Sequence, residues 1–479
     1  MILEITFDKL FTPVGNTGFG YCPWNGKLAV VTNANGTTTS YAYDVMDRVT
    51  NITWTTADGS RIGGFLYVYD AVGRIVLRAH DIGTNTFNRS YVYDAMDRLA
   101  SDGNVSYAYD AADNRIAKTG DVEGDISYTL GPGNRLQSWT GGSYTYNDAG
   151  CVTRIERVGK PTLDLTWDSQ YQLISVATNG VFAEGYAYDA LGRRVATMTS
   201  EGTVRHIYDN NWQCIADMDV NGNVLCSYVW GDGIDNLLAV RIGDETYTAL
   251  TDVQGTVWGF TDGNGEVVAR WTYDAWGNVL ASNVSVPALV SLRYRFQGRE
   301  WSAVTGLTNF RMRWYDTGTG RWLSKDPIGL NGGINLYVFC VNCPVLFMDP
   351  KGRNIYYTSE NGGHSMLWVG DGKSVKGTTV FEFGPKTDNV FWGDSVIIVG
   401  NGTPKLPEIE LPSTEDQDRR MIGVMRQIEK RKPKYSFFRY NCADAAREVL
   451  REGFPDMPHR YIDTPEKLLN DLKLLMRIK

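Results

Sequence analysis

The first two thirds of the chain repeat one short motif, and this repeat constrains the fold more than any other feature. Each copy has an aromatic residue, one variable residue, Tyr and Asp, then a short turn segment with Gly or Asp, and finally Arg. The clear copies begin at Tyr41, Tyr67, Tyr91, Tyr107 and Tyr186. Degenerate copies begin at Tyr144, Leu165, His206 and Trp271. Such a repeat indicates stacked supersecondary units that share one continuous core.

Each copy predicts one β-hairpin. The alternation Tyr-x-Tyr places both aromatic rings on one face of a strand, because successive side chains of a strand point to opposite faces. The Asp caps its own backbone in a turn, and the Gly or Asp before the Arg tolerates the positive φ of that turn. The 51 Gly and 27 Tyr residues fit many short strands with frequent turns. Since one hairpin is only marginally stable alone, stability must come from neighbouring units.

These copies resemble the YD repeat of Rhs proteins, teneurins and insecticidal toxin-complex shells over about residues 25–350. The resemblance implies a mostly β fold in which antiparallel β-hairpins spiral into a hollow shell. It assigns the repeated Tyr and Asp residues to the wall of that shell and gives them no catalytic role. We therefore expect residues 1–292 to form a YD-repeat β-shell.

The segment 293–352 resembles the Rhs-associated core almost residue for residue. Its motifs are Tyr294-Arg-Phe-Gln-Gly, Arg311-Met-Arg-Trp-Tyr-Asp, Gly320-Arg-Trp-Leu-Ser-Lys-Asp-Pro and Asp349-Pro-Lys-Gly. The resemblance implies that this core plugs the end of the shell. It also implies that residues 353–479 form a variable C-terminal effector domain.

The same resemblance implies self-cleavage after the second Asp-Pro-x-Gly motif, between Gly352 and Arg353. Two carboxylates that lie close together can share one proton, which provides one base and one acid. By motif position the candidates are Asp326 and Asp349, with Arg313 as a nearby cation. Arg353 departs from the family, in which a bulky apolar residue usually follows the Gly. The alternative is that both Asp-Pro motifs are turn and plug residues only.

Residues 353–479 lack the repeat and predict a small α+β domain. The β-rich segments are 355–358, 365–369, 379–383 and 395–399, and the amphipathic helices are 413–432 and one that starts at Thr464. Two short motifs could carry chemistry: Gly362-Gly-His places His364 at a strand start, and Tyr440-Asn-Cys places Cys442 at a helix start. A helix N-terminus stabilises a thiolate and a developing oxyanion, and a nearby imidazole would activate the thiol.

The chain order, His before Cys and strand before helix, resembles the permuted NlpC-type group of papain-like enzymes. This group includes peptidases, amidases and acyltransferases. The resemblance implies Cys442 as nucleophile, His364 as general base and Glu382 as the third polar residue, with Asp371 as the weaker choice. His459 is a poor candidate for the base. The alternative is that the Cys is a small buried hydrophobe and the His a loop residue.

We therefore expect an Rhs-type polymorphic toxin whose β-shell encloses a papain-like cysteine hydrolase or acyltransferase acting on amide or ester bonds. Such a toxin implies a cognate immunity protein and secretion or delivery machinery as partners. It would be secreted or delivered to a target cell. The alternative is a non-enzymatic secreted or cell-surface YD-repeat protein for adhesion or cell contact. A nuclease tail is disfavoured, because the C-terminal domain has no HNH-type or multi-histidine cluster.

Charge and hydropathy exclude several further classes. The formal net charge is −8 and no basic patch occurs, so we expect no nucleic-acid partner. No segment reaches the ~18 apolar residues of a membrane span, and the N-terminus shows no classical signal peptide, so we expect no stable membrane insertion. Cys340 and Cys343 have CxxC spacing without a second pair. We therefore expect no metal site and no cofactor.

Overall fold

The structure is a computed structural model that describes residues 6–12, 15–23, 26–83, 85–103, 105–120 and 124–353, together with six short strands between residues 356 and 410. The chain divides into two units, Met1–Asn361 and Gly362–Lys479. The first unit contains the repeat and the core motifs. Within the described residues, no helix is long and apolar enough to cross a membrane.

The described part of the first unit holds one sheet of 27 strands. In chain order these are β1 Thr6–Thr12, β2 Gly15–Tyr21, β3 Leu28–Thr32, β4 Thr38–Tyr43, β5 Val49–Thr55, β6 Arg61–Tyr69, β7 Ile75–Ile82, β8 Asn85–Tyr93, β9 Leu99–Asp102, β10 Val105–Tyr109, β11 Arg115–Thr119, β12 Ile126–Gly131, β13 Arg135–Trp139, β14 Gly142–Tyr146, β15 Val152–Arg157, β16 Leu163–Trp167, β17 Leu173–Thr178, β18 Val181–Tyr188, β19 Arg194–Thr199, β20 Gly202–Tyr208, β21 Cys214–Met218, β22 Val224–Trp230, β23 Leu237–Ile242, β24 Glu245–Thr251, β25 Val257–Thr261, β26 Val267–Tyr273 and β27 Val279–Val284. Each strand from β2 to β26 pairs antiparallel with the strand before it and the strand after it in sequence, and β1 and β27 are the two end strands. We call this meander the strip. It confirms the predicted series of antiparallel hairpins and the mostly β fold.

The strip bends at the same place in most repeats. Tyr41 pairs with Ile52, but Tyr43 pairs with Val49, so the register shifts by one residue at the second aromatic of the motif. The same shift occurs at Tyr69, Tyr93, Tyr109, Tyr146, Trp167, Tyr188, Tyr208, Trp230 and Tyr273. A β-bulge bends a strand and increases its twist. The repeat therefore introduces curvature at one fixed position of each of these hairpins.

The first aromatic of the motif faces the core of the strip. This residue is buried in several clear and degenerate copies, at Tyr67, Tyr91, Tyr107, Tyr144 and Tyr186. Phe65 lies 5.3 Å from Trp258 between ring centroids, and the peptide N–H of Ala275 donates to the buried carboxylate of Asp102 at 2.9 Å. Early and late hairpins therefore turn towards each other and share one hydrophobic core.

The long hairpins end at residue 284, and the core motifs form a different structure. A single-turn helix, α1 Pro287–Val290, leads into a four-stranded sheet. Its strands are β28 Glu300–Trp301, β29 Thr308–Phe310, β30 Arg313–Asp316 and β31 Arg321–Trp322. Short 3-10 turns lie at Pro132–Asn134 within the strip and at Phe296–Gly298, Gly329–Gly332 and Cys340–Asn342 within the core. The last pairing joins β32 Phe347–Met348 to β33 Tyr356–Tyr357.

The core segment, residues 293–352, packs against buried side chains of the strip. The Trp314 ring lies 4.8 Å from the ring of Tyr186. Nη2 of Arg157 lies 2.8 Å from Oδ2 of Asp316, and both side chains are largely buried. The role of this segment as a plug and the domain bounds at residues 292 and 352 stay predictions.

The described residues of the second unit form five short strands: β34 Leu367–Val369, β35 Thr379–Phe381, β36 Asp388–Gly393, β37 Val396–Asn401 and β38 Ile409–Glu410. Strands β34, β35 and β37 overlap segments that the sequence predicts to be β-rich. The helices predicted at 413–432 and from Thr464 lie outside the described residues. The papain-like fold of this domain therefore stays a prediction.

Candidate self-cleavage site

Three of the predicted site residues lie together in the core. Nη1 of Arg313 lies 2.9 Å from Oδ2 of Asp326, and Nη2 lies 2.9 Å from Oδ2 of Asp349. The Arg313 and Asp349 side chains are 3% and 2% exposed, and that of Asp326 is 11% exposed. One buried guanidinium therefore joins two carboxylates that are 23 residues apart in the printed sequence.

The surrounding elements fix each of these side chains. Arg313 begins the paired strand β30, and its guanidinium stacks over the ring of Trp322 at 4.0 Å. Asp326 caps a turn, because its Oδ1 accepts the N–H of Ile328 at 3.0 Å. Asp349 caps the next Asp-Pro turn, since its Oδ1 accepts the N–H of Arg353 at 2.9 Å. The Asp-Pro motifs are thus turn residues and, at the same time, partners of Arg313.

The peptide bond between Gly352 and Arg353 is held at both of its polar atoms. Nε of Arg313 donates to the carbonyl oxygen of Gly352. The N–H of the same peptide bond donates to Asp349. A cation at a carbonyl oxygen makes the carbonyl carbon more electrophilic and stabilises the oxyanion that forms when a nucleophile adds. The geometry can therefore activate this one peptide bond.

Only glycine fits at the residue before that bond. Gly352 has φ 67°, in the left-handed region. A Cβ at this position would lie 2.4 Å from the carbonyl oxygen of Phe310 and 3.0 Å from the nitrogen of Arg313. The absence of a side chain lets the chain pass close to Arg313.

The protonation of Asp326 suits an acid. Burial raises the pKa of this carboxyl to about 6, and the Asp349 charge acts in the same direction, while Arg313 and the Ile328 N–H oppose the rise. Asp326 therefore holds a proton at mildly acidic pH, where an ordinary aspartate has lost it. A pair in which one carboxyl keeps its proton can provide one acid and one base.

The other predicted site residues are those of the C-terminal domain. Cys442, His364 and Glu382 lie outside the described residues, as do Asp371 and His459. Their proximity and roles stay predictions.

A second buried cluster lies between β20 and β21. His206, Cys214 and Asp217 bring their ligand atoms within 4.8 Å of one another. However, Nη2 of Arg293 lies 2.8 Å from Oδ1 of Asp217, and Nε2 of His206 shares a hydrogen bond with Thr197. A metal ion would have to displace this guanidinium, so the cluster is an ion-pair network. The cysteines described in the strip and the core, including Cys340 and Cys343, are free and buried.

Sequence reasoning named the three charged residues that the structure brings together, but it did not indicate the contacts that hold the Gly352–Arg353 peptide bond. The backbone contacts of Gly352 and Arg353 depend on how the Asp349 turn packs against β30. Trp322 stacks on Arg313 and lies in a motif that can be recognised in the sequence. Its pairing with Tyr315, however, is seen only in the folded sheet. No local pattern reports such a contact.

Comparisons with known proteins agree with the strip and the core. The Teneurin YD-shell family matches residues 24–344. Double-stranded DNA deaminase toxin A of Burkholderia cenocepacia is 30% identical over 321 residues, which cover 60% of this chain and 22% of that protein. The tRNA3(Ser)-specific nuclease WapA of Bacillus spizizenii is 26% identical over 354 residues, which cover 71% of this chain and 15% of that protein. The chain thus spans less than a quarter of the length of these relatives.

A solved structure shows the same fold. The crystal structure of TcdB2-TccC3-Cdc42 superposes with a TM-score of 0.61 and covers 73% of this chain and 20% of the matched chain. At 18% sequence identity this likeness concerns the fold alone.

Proposed function

Since this chain belongs to the Teneurin YD-shell family, we propose that it is the shell and core part of an Rhs-type polymorphic toxin that cuts itself between Gly352 and Arg353. The toxin class is supported by relatives named as a DNA deaminase toxin and a tRNA nuclease. Their names differ in chemistry although both resemble this chain. The family match covers residues 24–344, which supports the proposal that the shell is the part shared with these relatives and that the effector follows it.

The observation that carries the cleavage proposal is the position of Arg313. Its guanidinium contacts Asp326, Asp349 and the carbonyl oxygen of Gly352. Water adds to the Gly352 carbonyl carbon while one carboxylate of the pair takes its proton. The carbon–nitrogen bond then breaks, and the protonated carboxyl gives its proton to the Arg353 nitrogen. The products are a carboxylate at Gly352 and an amine at Arg353.

The cut can be detected directly. The full chain is synthesised, incubated near pH 6 and analysed by intact mass and by N-terminal sequencing. We expect a C-terminal fragment that begins with Arg353. A chain that stays intact during prolonged incubation, with a folded strip, contradicts the cleavage proposal. The side chain of Arg353 is no obstacle in this scheme, since the site uses its backbone N–H.

For residues 353–479 we propose a cysteine hydrolase or acyltransferase with Cys442 as nucleophile, His364 as base and Glu382 as the orienting residue. The support is the two sequence motifs and the toxin-like relatives. The test is growth of bacteria that express the full chain, as wild type or as Cys442→Ala, with Cys226→Ala of the strip as the matched control. Growth arrest by the wild type and the control, but not by Cys442→Ala, is expected. Arrest by all three, with loss of cellular RNA or DNA, would instead indicate a nuclease.

The proposed function brings partners with it. A producing cell needs an immunity protein against the effector, and a toxin of this class needs a secretion or delivery system. Co-expression of small neighbouring genes with the wild-type chain should restore growth if one of them encodes the immunity protein.

A further inference from the structure

The loop between β29 and β30 runs along the segment that precedes the proposed cut. Three consecutive residues of the loop and strand donate to three consecutive carbonyl groups: Arg311 through Nη1 to Pro350, Met312 through its N–H to Lys351 at 3.3 Å, and Arg313 through Nε to Gly352. Only the last of these contacts reaches the bond to be cut. The other two hold the chain in register, as a protease holds the backbone of its substrate.

Arg311 is itself held by a carboxylate of the strip. Its Nη2 lies 2.7 Å from Oδ1 of Asp235 and its Nη1 lies 2.9 Å from Oδ2. Such a two-point contact fixes the plane of a guanidinium as well as its position. Asp235 also accepts from Nη1 of Arg299 at 2.8 Å, and it is 1% exposed. The orientation of Arg311 therefore depends on a residue that lies between β22 and β23.

The backbone around Asp235 leaves little freedom. A Cβ at Gly298 would lie 2.4 Å from the carbonyl oxygen of Asp235, and a Cβ at Gly255 would lie 2.8 Å from the same atom. One of these glycines belongs to the core and the other to the strip. The Asp235 carboxylate thus reaches Arg311 only when the strip and the core have packed against each other.

We propose that Arg311 binds the chain before the cut and that Asp235 is its positioning residue, so that self-cleavage waits until the strip has folded around the core. This inference rests on the proposed self-cleavage. Asp235 contacts neither carboxylate of the cleavage pair in the described structure, and of the three residues that hold the segment before the cut it contacts Arg311. The strip is then part of the cleavage device as well as a wall.

The test is the rate at which the fragment beginning with Arg353 appears during cell-free synthesis of the full chain. Asp235→Asn keeps the shape of the side chain but removes its charge, and Arg311→Gln removes the guanidinium. We expect each to slow cleavage by ~10-fold or more, because a small displacement of a reacting group costs this much or more. The double variant should be no slower than Arg311→Gln alone, since Asp235 acts through Arg311.

The matched control is Arg157→Gln. Arg157 forms a buried ion pair with Asp316, and this pair also joins the strip to the core but, among the described residues, makes no contact with the segment before the cut. The substitution breaks the pair. This variant should cleave at the wild-type rate. A positioning role also predicts that the pH of half-maximal rate is the same in Asp235→Asn and wild type, because the cleavage pair is untouched.

The outcomes separate the two proposals. No cleavage by the wild type overturns the proposed self-cleavage itself. If the wild type cleaves and Asp235→Asn cleaves at the same rate, only the positioning role is overturned. Independent slowing, in which the fold-changes of the two single variants multiply, does the same. If Asp235→Asn yields no folded strip, Arg311→Lys decides: it keeps the charge but loses the two-point contact, and an unchanged rate overturns the inference.

Discussion

The strip and the core use the same pair of residues, Asp and Arg, in two different ways. In the repeated motif of the strip the pair is local: Asp189 and Arg193 are four residues apart, and each side chain is 23% exposed. In the core the pair is distant in sequence and buried, as between Arg313 and Asp349. A local, partly exposed pair shapes one turn. A buried pair joins segments that only folding brings together, and its charges have no water to screen them.

The local pairs also explain why the repeat is regular. The Asp94 carboxylate accepts from two N–H groups of its own turn and from Nε of Arg98. The guanidinium of Arg98 then stacks over the ring of Tyr109 in the next hairpin at 4.8 Å. The hydroxyl of Tyr109 donates back to the carbonyl of Leu99 at 2.7 Å. Each motif therefore closes its own turn and holds its neighbour.

The largest expected effect is on the rate of cleavage, and it should separate an Asp→Asn substitution in the core from the same substitution in the strip. Asp326→Asn removes the group that can donate a proton, and we expect cleavage to slow by ~10³-fold or more, in the range of general acid–base catalysis. Asp189→Asn removes a carboxylate of equal size from a strip turn and should leave the rate unchanged. Quantitative fragment analysis over time measures both. Cleavage by Asp326→Asn at the wild-type rate would restrict the Asp-Pro motifs to a turn and plug role.

The two regions should also differ in what an arginine contributes to stability. Arg313→Met leaves the Asp349 charge buried without its cation and should lower the free energy of unfolding by about 3–5 kcal/mol. Arg193→Met breaks a partly exposed pair and a stacking contact at 5.4 Å, and should cost about 1–2 kcal/mol.

Urea unfolding measures the difference. Both substitutions are made in an Asp326→Asn background, so that no chain is cut during the experiment. Equal losses would mean that burial does not distinguish the core pair from the strip pair.

The same contrast explains what the sequence could and could not predict. The hairpins of the strip were predictable, because every determinant lies within one motif: the Tyr-x-Tyr alternation, the Asp cap and the turn residue with positive φ. The members of the candidate cleavage site, Asp326, Asp349 and Arg313, were named only through resemblance to a family, and their role in cleavage stays a prediction. Their mutual contacts, and the role of Asp235, depend on packing between segments far apart in sequence. No periodicity encodes such contacts.

The third expected effect is a dependence of the cleavage rate on pH, which arises from Asp326 in the core. If Asp326 donates the proton, it must be protonated, and burial raises its pKa to about 6. The cleavage rate should then be high at mildly acidic pH, where Asp326 is protonated, and fall by up to ~10-fold per pH unit above pH 6. Rates are measured in buffers from mildly acidic to mildly alkaline pH, with urea stability followed in parallel. A rate that rises with pH through this range would assign the base, and not the acid, to Asp326.

The smallest effect concerns two tyrosines of one strip motif, which differ by a single hydrogen bond. The hydroxyl of Tyr93 donates to the carbonyl of Ile75 at 2.5 Å and so ties β8 to β7, whereas the buried hydroxyl of Tyr91 has no hydrogen-bond partner among the described residues. Tyr93→Phe should therefore lower the free energy of unfolding by about 1 kcal/mol. Tyr91→Phe removes a hydroxyl whose burial is not compensated, so it should be neutral or slightly stabilising. The two rings carry the same number of atoms, which makes each variant the control for the other in urea unfolding. If both substitutions cost the same, the second tyrosine of the motif acts through its ring alone, and the hydroxyl-to-carbonyl contact between neighbouring hairpins contributes nothing to the stability of the strip.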